Sequence, residues 1–250
     1  MPKMFKRVKA IRAGNEISDV EEKIVKDNEI ELIINNMAFG RFSISPNYLK
    51  EFAVGYLLGG GLADSIDNIK KIELDGNKIE LKVDLIDFDI RRELIMSSDC
   101  FGGLRSKLEL INKVESDYSI SKDSILEAFR KLFEHSKTWM ETGGTHIASL
   151  VTEDNFIAME DVSRHVAIDK VIGMAALEKF DFSQCFIACS GRMPSDMVLK
   201  IARVGIPILT SKAAPTVSGY VSGEKSGLTI VGFVRGKRFN IYTHPQRILL

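Results

Sequence analysis

A chain of 250 residues with 45% hydrophobic content is long enough for one large domain or two modest ones with a real core. Its 34 Lys and Arg balance 34 Asp and Glu, so no global field draws it to nucleic acid or an anionic membrane, and any anion site must be a local patch. Apolar runs such as Phe52 to Leu58 are too short to span a bilayer, Met1-Pro2-Lys3-Met4-Phe5-Lys6-Arg7 has no apolar signal region, and three cysteines make no disulfide framework, so a cytoplasmic location is expected.

Residues 1 to about 95 alternate in the manner of strands at Val8–Arg12, Glu29–Ile34 and Phe39–Ser45. A helix is predicted from near Pro46, because Tyr48, Phe52, Ala53, Tyr56 and Leu57 recur at helical spacing and Gly59-Gly60-Gly61 stops it. Ile69–Leu74 and Lys78–Val83 flank Asp75-Gly76-Asn77, a hairpin signal. Residues 1–95 therefore read as a small α+β domain. The small and polar residues from Met96 to Ser106 break the pattern, and 96–110 reads as a mobile loop leading to a second domain at 111–250.

In that domain a helix is expected over Asp117–His135, entered through Ser121 and Asp123, with Ile125, Leu126, Phe129, Leu132 and Phe133 on one face. His146–Val151 and Phe156–Met159 form a hairpin over Glu153-Asp154-Asn155, followed by a helix at 164–178. Phe186–Ser190 is a buried strand, and a helix starts near Pro194 and closes at Gly205. Ile206–Leu209 is the next strand, Pro215 opens another helix, and Leu228–Val234 with Phe239–Tyr242 close the chain as a hairpin over Gly236-Lys237-Arg238. The order ββαβαβαββ implies helices packed on a central mixed sheet, an α/β domain behind an α+β one. Ligands of such sheets gather at the carboxyl ends of the strands, where Ser190-Gly191-Arg192, Thr210-Ser211-Lys212 and Arg235 fall.

Residues 142 to 173 concentrate chemistry. Gly143, Gly144 and His146 are followed by Glu160-Asp161-Val162-Ser163-Arg164-His165, which runs into an apolar-periodic helix. The glycines allow close backbone approach, and N–H groups at a helix start favour an anion. The same residues equally suit a hairpin in which Ser163 or Asp161 is an N-cap and His146 and His165 are satisfied polar neighbours. Cys100 lies in a Ser/Gly-rich loop, whereas Cys185 and Cys189 lie in an apolar strand, so Cys100 is the candidate reactive thiol. Arg105 would favour its thiolate and Asp99 would oppose it. No Cys-x-x-Cys or His-x-Glu spacing supports zinc, and no metal ligands are assigned. Phe233-Val234-Arg235-Gly236-Lys237-Arg238, with His244 and Arg247 beyond, is either a solvated face or a phosphate clamp.

Several stretches in order resemble the FdhD family of formate dehydrogenase accessory sulfurtransferases: Phe52 to Leu58, the Cys100 loop, Thr142 to His146, Glu160 to Gly173, Ser190-Gly191-Arg192, Ala214-Pro215-Thr216, and Gly227 to Arg247 with Tyr242-Thr243-His244-Pro245-Gln246-Arg247-Ile248. The resemblance implies a cytidine-deaminase-like three-layer α/β/α second domain used without zinc. It implies a homodimer that takes persulfide sulfur from a cysteine desulfurase. That sulfur passes to the molybdenum or tungsten bis(guanine dinucleotide) cofactor, a bound substrate, before its insertion into formate dehydrogenase. Cys100 matches the family's sulfur-carrying cysteine and Phe233 to Arg238 its cofactor-binding stretch, with Gly143, Gly144, His146, His165 and Arg192 as further candidate contacts.

The chain departs from the family pattern in three places. Cys100-Phe101-Gly102-Gly103 has glycine where many relatives have a second thiol. The glutamate after Leu57-Leu58 is replaced within Gly59-Gly60-Gly61, and Asp161-Val162-Ser163-Arg164-His165-Val166 stands for Asp-Val-Gly-Arg-His-Asn. Loss of the second thiol leaves open an alternative, a chaperone that holds the guanine dinucleotide without carrying sulfur.

Overall fold

The computed structural model describes residues 4–86 and 113–250, so Cys100 and the loop predicted at 96–110 lie outside the described residues. Strands β1 (Phe5–Ala13) and β2 (Ile17–Val25) pair antiparallel as a ribbon of their own. Strand β2 is missing from the sequence expectation, because Ile17, Val20 and Ile24 fall at helix-like spacing and the ribbon has no single dry face. A four-stranded sheet follows, built from β3 (Asn28–Ile34), β4 (Met37–Ile44), β5 (Ile69–Asp75) and β6 (Lys78–Val83) in the order β4-β3-β6-β5. Its alternation buries Ile30, Leu32, Ile34, Ile79 and Leu81 against Phe52, Ala53 and Leu57 of α1 (Leu49–Gly60). The helix starts at Leu49 and not at Pro46, because Tyr48 adopts a left-handed φ of 53° that a helix cannot contain; Gly61, at φ 70°, ends it.

The second half comprises β7 (Ile120–Ser121), α2 (Lys122–His135), α3 (Lys137–Thr142), β8 (His146–Val151), β9 (Phe156–Asp161), α4 (Arg164–Leu177) and β10 (Phe186–Cys189). It continues through α5 (Ser195–Arg203), β11 (Ile208–Ser211), α6 (Val217–Ser226), β12 (Thr229–Arg235), β13 (Arg238–Thr243) and β14 (Ile248–Leu249). Six strands form one mixed sheet in the order β13-β12-β11-β10-β8-β9, parallel across β10, β11 and β12 and antiparallel at both flanks. Ile168, Val171 and Ile172 of α4 and Met197, Val198 and Ile201 of α5 cover one face. Ile125, Phe129 and Leu132 of α2 cover the other, giving the expected α/β/α layers.

The helix expected from Asp117 begins only at Lys122, where the Ser121 hydroxyl accepts the Ser124 N–H at 3.0 Å. The residues before it spend their polar groups on distant partners: Val114 N–H donates to Ser226 O, and the Ser116 hydroxyl donates to Ser183 O.

The two halves meet at α1 and α4. A Cβ on Gly55 would lie 1.8 Å from Asp169 O, and one on Gly173 would lie 1.8 Å from Glu51 O. Both obstacles are backbone atoms, so neither can rotate away. Gly55→Ala should cost stability at the upper end of the roughly 1–3 kcal/mol typical of overpacking, despite alanine's better helix propensity. Urea unfolding followed by circular dichroism measures this; a variant as stable as the parent would show that the helices cross less closely.

Helix α4 is therefore covered on both sides, by the large sheet and by α1, and its buried residues run almost all round it. That burial includes Asp169 and Lys170. Lys170 Nζ lies 2.6 Å from Asp161 Oδ2 and also donates to Ser45 O and Asn47 Oδ1, pinning the chain before α1 to the end of β9.

Candidate functional site

The carboxyl ends of β10 and β11 and the start of the antiparallel β8 lie at one edge of the large sheet. His146 opens β8 and pairs across the ladder with Asp161 at the end of β9. Ser190 follows β10, and its N–H donates to Ile147 O while its hydroxyl oxygen accepts the Ile147 N–H at 3.1 Å. The same hydroxyl lies 3.2 Å from His146 Nδ1. With one lone pair of Ser190 Oγ taken by the backbone, a hydrogen and a second lone pair remain, so the hydroxyl pairs with either tautomer of a neutral His146; when it donates to Nδ1, the ring proton sits on Nε2 and that edge is a donor.

A cavity of about 410 Å³ opens here, and His146, Ser190, Gly143, Gly144, Thr145 and Lys212 are among its lining residues. Gly143, at φ 66°, ends α3 with its N–H donating to Trp139 O. Gly144 is held to glycine by contact as well, since a Cβ there would lie 2.6 Å from Val25 Cγ1 of the N-terminal ribbon. Lys212 is positioned by its N–H bond to Cys189 O and by Ser211, whose hydroxyl donates to Gly191 O and accepts from Ala213 N–H.

Cations collect behind this edge. Arg164, at the start of α4, lies over Gly191, where a Cβ would come within 2.8 Å of its Cδ. Burial, then repulsion from Arg192, pulls the Arg164 guanidinium pKa down. His165 Nε2 lies 3.0 Å from Asp196 Oδ2 at the start of α5. Burial alone would raise the Asp196 carboxyl, but bonding and charge from His165, with the Met197 N–H and Lys200, bring it to about 2. His146 is lowered from the 6.5 of free imidazole, first by burial and then by His165 and Arg192.

His146 should therefore be neutral at pH 7. A base whose folded pKa is depressed contributes stability above its unfolded value, and that contribution is lost as pH falls below 6.5, where only the unfolded chain takes up the proton. NMR titration should place the His146 ring below 6.5, and phosphate bound in the cavity should raise it. A ring titrating at or above 6.5 in the free protein would contradict this environment.

The sequence-predicted residues thus divide. Gly143, Gly144 and His146 line the cavity, while His165 and Arg192 sit close enough to act on His146 electrostatically. The segment from Phe233 to Arg238 does not contribute to the cavity wall. It forms the β12–β13 turn, with Phe233 and Gly236 at φ 54° and 59°, Val234 buried, Lys237 and Arg238 exposed, and Arg235 stacked 5.5 Å from the Phe233 ring centroid. Phe233 N–H donates to Ala213 O, so this turn adjoins the segment that carries Lys212.

Phe133 and Trp139 line the cavity although neither stood out in the sequence as a site residue. Phe133 belongs to the stripe that the sequence predicts on one face of α2, but it is 49% exposed; the stripe's edge opens on the cavity rather than on the sheet. Trp139 sits on α3, which has too few residues to display a period. What seats Trp139 is Glu160, whose carboxylate accepts the N–H groups of Thr138 and Trp139 and the Thr145 hydroxyl, at 2.8, 2.8 and 2.9 Å, contacts between segments too far apart to show in the sequence. Among the described residues no three His, Cys, Asp or Glu side chains converge as metal ligands, and no helix is long and apolar enough to cross a membrane.

Comparison with known proteins bears on this arrangement. The family model described as the FdhD/NarQ family matches residues 25–249. A protein named Sulfur carrier protein FdhD from Methanothermobacter thermautotrophicus is 51% identical over 246 residues, covering 98% of this chain and 99% of its own. One of the same name from Wolinella succinogenes is 32% identical, covering 98% and 90%. A crystal structure assigned as a formate dehydrogenase accessory protein from Desulfotalea psychrophila superposes with a TM-score of 0.84 at 27% identity, covering 99% of this chain and all of that one. With a family match from Val25 almost to the last residue and relatives aligned end to end, this chain belongs to the FdhD/NarQ family.

Proposed function

We propose that this protein is a sulfur carrier in formate dehydrogenase maturation. Its Cys100 thiolate attacks the outer sulfur of a cysteine desulfurase persulfide, the desulfurase thiolate leaves, and Cys100 keeps the outer sulfur as its own persulfide. That sulfur then passes to the molybdenum or tungsten bis(guanine dinucleotide) cofactor, which the protein holds as a substrate; the S–S bond breaks, and the two electrons that take the sulfur to sulfide come from an external thiol, leaving Cys100 in a mixed disulfide, or from the reduced metal, leaving Cys100 as thiolate. The names of its relatives support the carrier role. The structural support is the polar set at one sheet edge, where the His146 imidazole, Lys212 and the glycine backbone line a cavity backed by Arg164 and Arg192. A pyrophosphate-bearing ligand suits such donors. A volume of about 410 Å³ is at the small end of ligand cavities, so it suits one end of a large cofactor and not the whole of it.

The test is mass spectrometry after incubation with a desulfurase and cysteine. A sulfur adduct confined to Cys100 is the expected result. The chaperone reading draws on Gly103 in place of a second thiol, and a protein that stays unmodified while still binding guanine nucleotide would establish it instead.

A further inference from the structure

We propose that Phe133 and Trp139 form an aromatic wall on which a planar heteroaromatic ring of a phosphate-bearing ligand stacks, its phosphates directed to Lys212 and His146. The proposal rests on the reading of this sheet edge as an anion site and adds what holds the ring.

Trp139 is 45% exposed and Phe133 49% exposed, and their ring centroids lie 6.5 Å apart at 64° between planes. Scattered exposed apolar residues are ordinary, but here both rings face one cavity together, and Met140 beside them is also exposed. Lys212 Nζ lies 5.5 Å from the Phe133 centroid, so the wall and the cation form one surface.

The wall is also held in place. Glu160 clamps the Trp139 and Thr138 N–H groups, and the Lys23–Glu141 ion pair at 2.8 Å ties α3 to the N-terminal ribbon. An aromatic side chain on fixed backbone, left half-exposed beside phosphate donors, is the arrangement that stacks nucleobases without reading their edges. Guanine and pterin rings share the required chemistry, and the two are separated by the probes below.

Trp139 is the only tryptophan in the chain, so its emission reports on this wall alone. The full-length protein is titrated with GDP, neopterin triphosphate and inorganic pyrophosphate, by fluorescence and by calorimetry, alongside Trp139→Ala and Trp139→Phe. A ring-bearing ligand should quench the emission and bind more tightly than pyrophosphate. Trp139→Ala should weaken it at least about fivefold, and Trp139→Phe should retain most of the affinity. Whichever of GDP and neopterin triphosphate does so identifies the ring. Pyrophosphate binding as tightly as both, or ring ligands binding Trp139→Ala as well as the parent, would overturn the aromatic wall while leaving the anion site standing. Reduced dehydrogenase maturation by Trp139→Ala at unchanged ligand affinity would also overturn it, assigning the patch to protein docking. No binding of any of the three by calorimetry would remove the anion site itself.

Discussion

Replacing Cys100 by alanine should abolish formate dehydrogenase maturation while guanine nucleotide binding survives. The chain has two other thiols, at Cys185 and Cys189, and both are buried. Burial, with the Asp181 charge, pushes Cys185 up to about 12; burial pushes Cys189 up to about 11, against its Ser211 and Gly191 bonds and the Arg164 charge. Thiols at such values are roughly one part in a hundred thousand to one in ten thousand thiolate at neutral pH, and only the thiolate attacks a persulfide. Alanine at both 185 and 189 should therefore leave maturation intact, provided melting confirms that the core tolerates the change. Gly103 adds a consequence. A second loop thiol could attack the Cys100 persulfide, releasing sulfide as an internal disulfide forms. Here an external thiol must supply those electrons, forming a mixed disulfide with Cys100, unless the sulfur passes directly to the cofactor, whose reduced metal would then give up the two electrons as Cys100 leaves as thiolate. Maturation assays with the reconstituted desulfurase read all of these outcomes. A Cys100→Ala protein that still matures the enzyme would end the carrier reading and leave the chaperone.

How far the fold could be read depended on whether a segment's burial is one-sided. The β8–β9 and β5–β6 hairpins were legible, because their turn residues and alternation are local signals, and the Gly61 and Gly205 stops are backbone requirements that any reader of φ > 0 positions can use. Strand β2 was not legible, since it is wet on both faces and has no pattern to enforce. Helix α3 was not legible either, because Lys137-Thr138-Trp139-Met140-Glu141-Thr142 is under two turns and its start is stabilised by Glu160, far along the chain. The site followed the same rule. Glycine and histidine at 143–146 marked part of the wall, but its aromatic part is set by tertiary placement of Phe133 and Trp139. Asp161 and Lys170 had visible charge and invisible burial, since only the arrival of α1 and its leading loop dries them.

Lys170→Met should destabilise the fold by roughly 3–5 kcal/mol, the cost of leaving one member of a buried ion pair uncompensated. Both side chains are fully buried, at 0% exposure. Burial pushes the Asp161 carboxyl up and the Lys170 amine down, each resisted by the other's charge. Methionine keeps the stem's packing but removes the ammonium that serves Asp161, Ser45 O and Asn47 Oδ1 together. Asp161 cannot then be replaced silently. Its Oδ2 accepts the Ser45 N–H at 3.0 Å and its Oδ1 the Ser163 N–H at 2.8 Å, so asparagine would turn an amino group toward one of these donors. Asp161→Asn should therefore cost stability too, yet Lys170→Met with Asp161→Asn should lose less than the sum, because no unpaired charge remains. A double-mutant cycle in urea measures the coupling, and additive losses, or a single loss under about 1 kcal/mol, would refute a shared buried pair. The same cycle should report on the site. Asp161 pairs with His146 across the ladder and holds Ser163 where α4 presents Arg164 and His165, so loosening it should weaken phosphate binding in variants that remain folded.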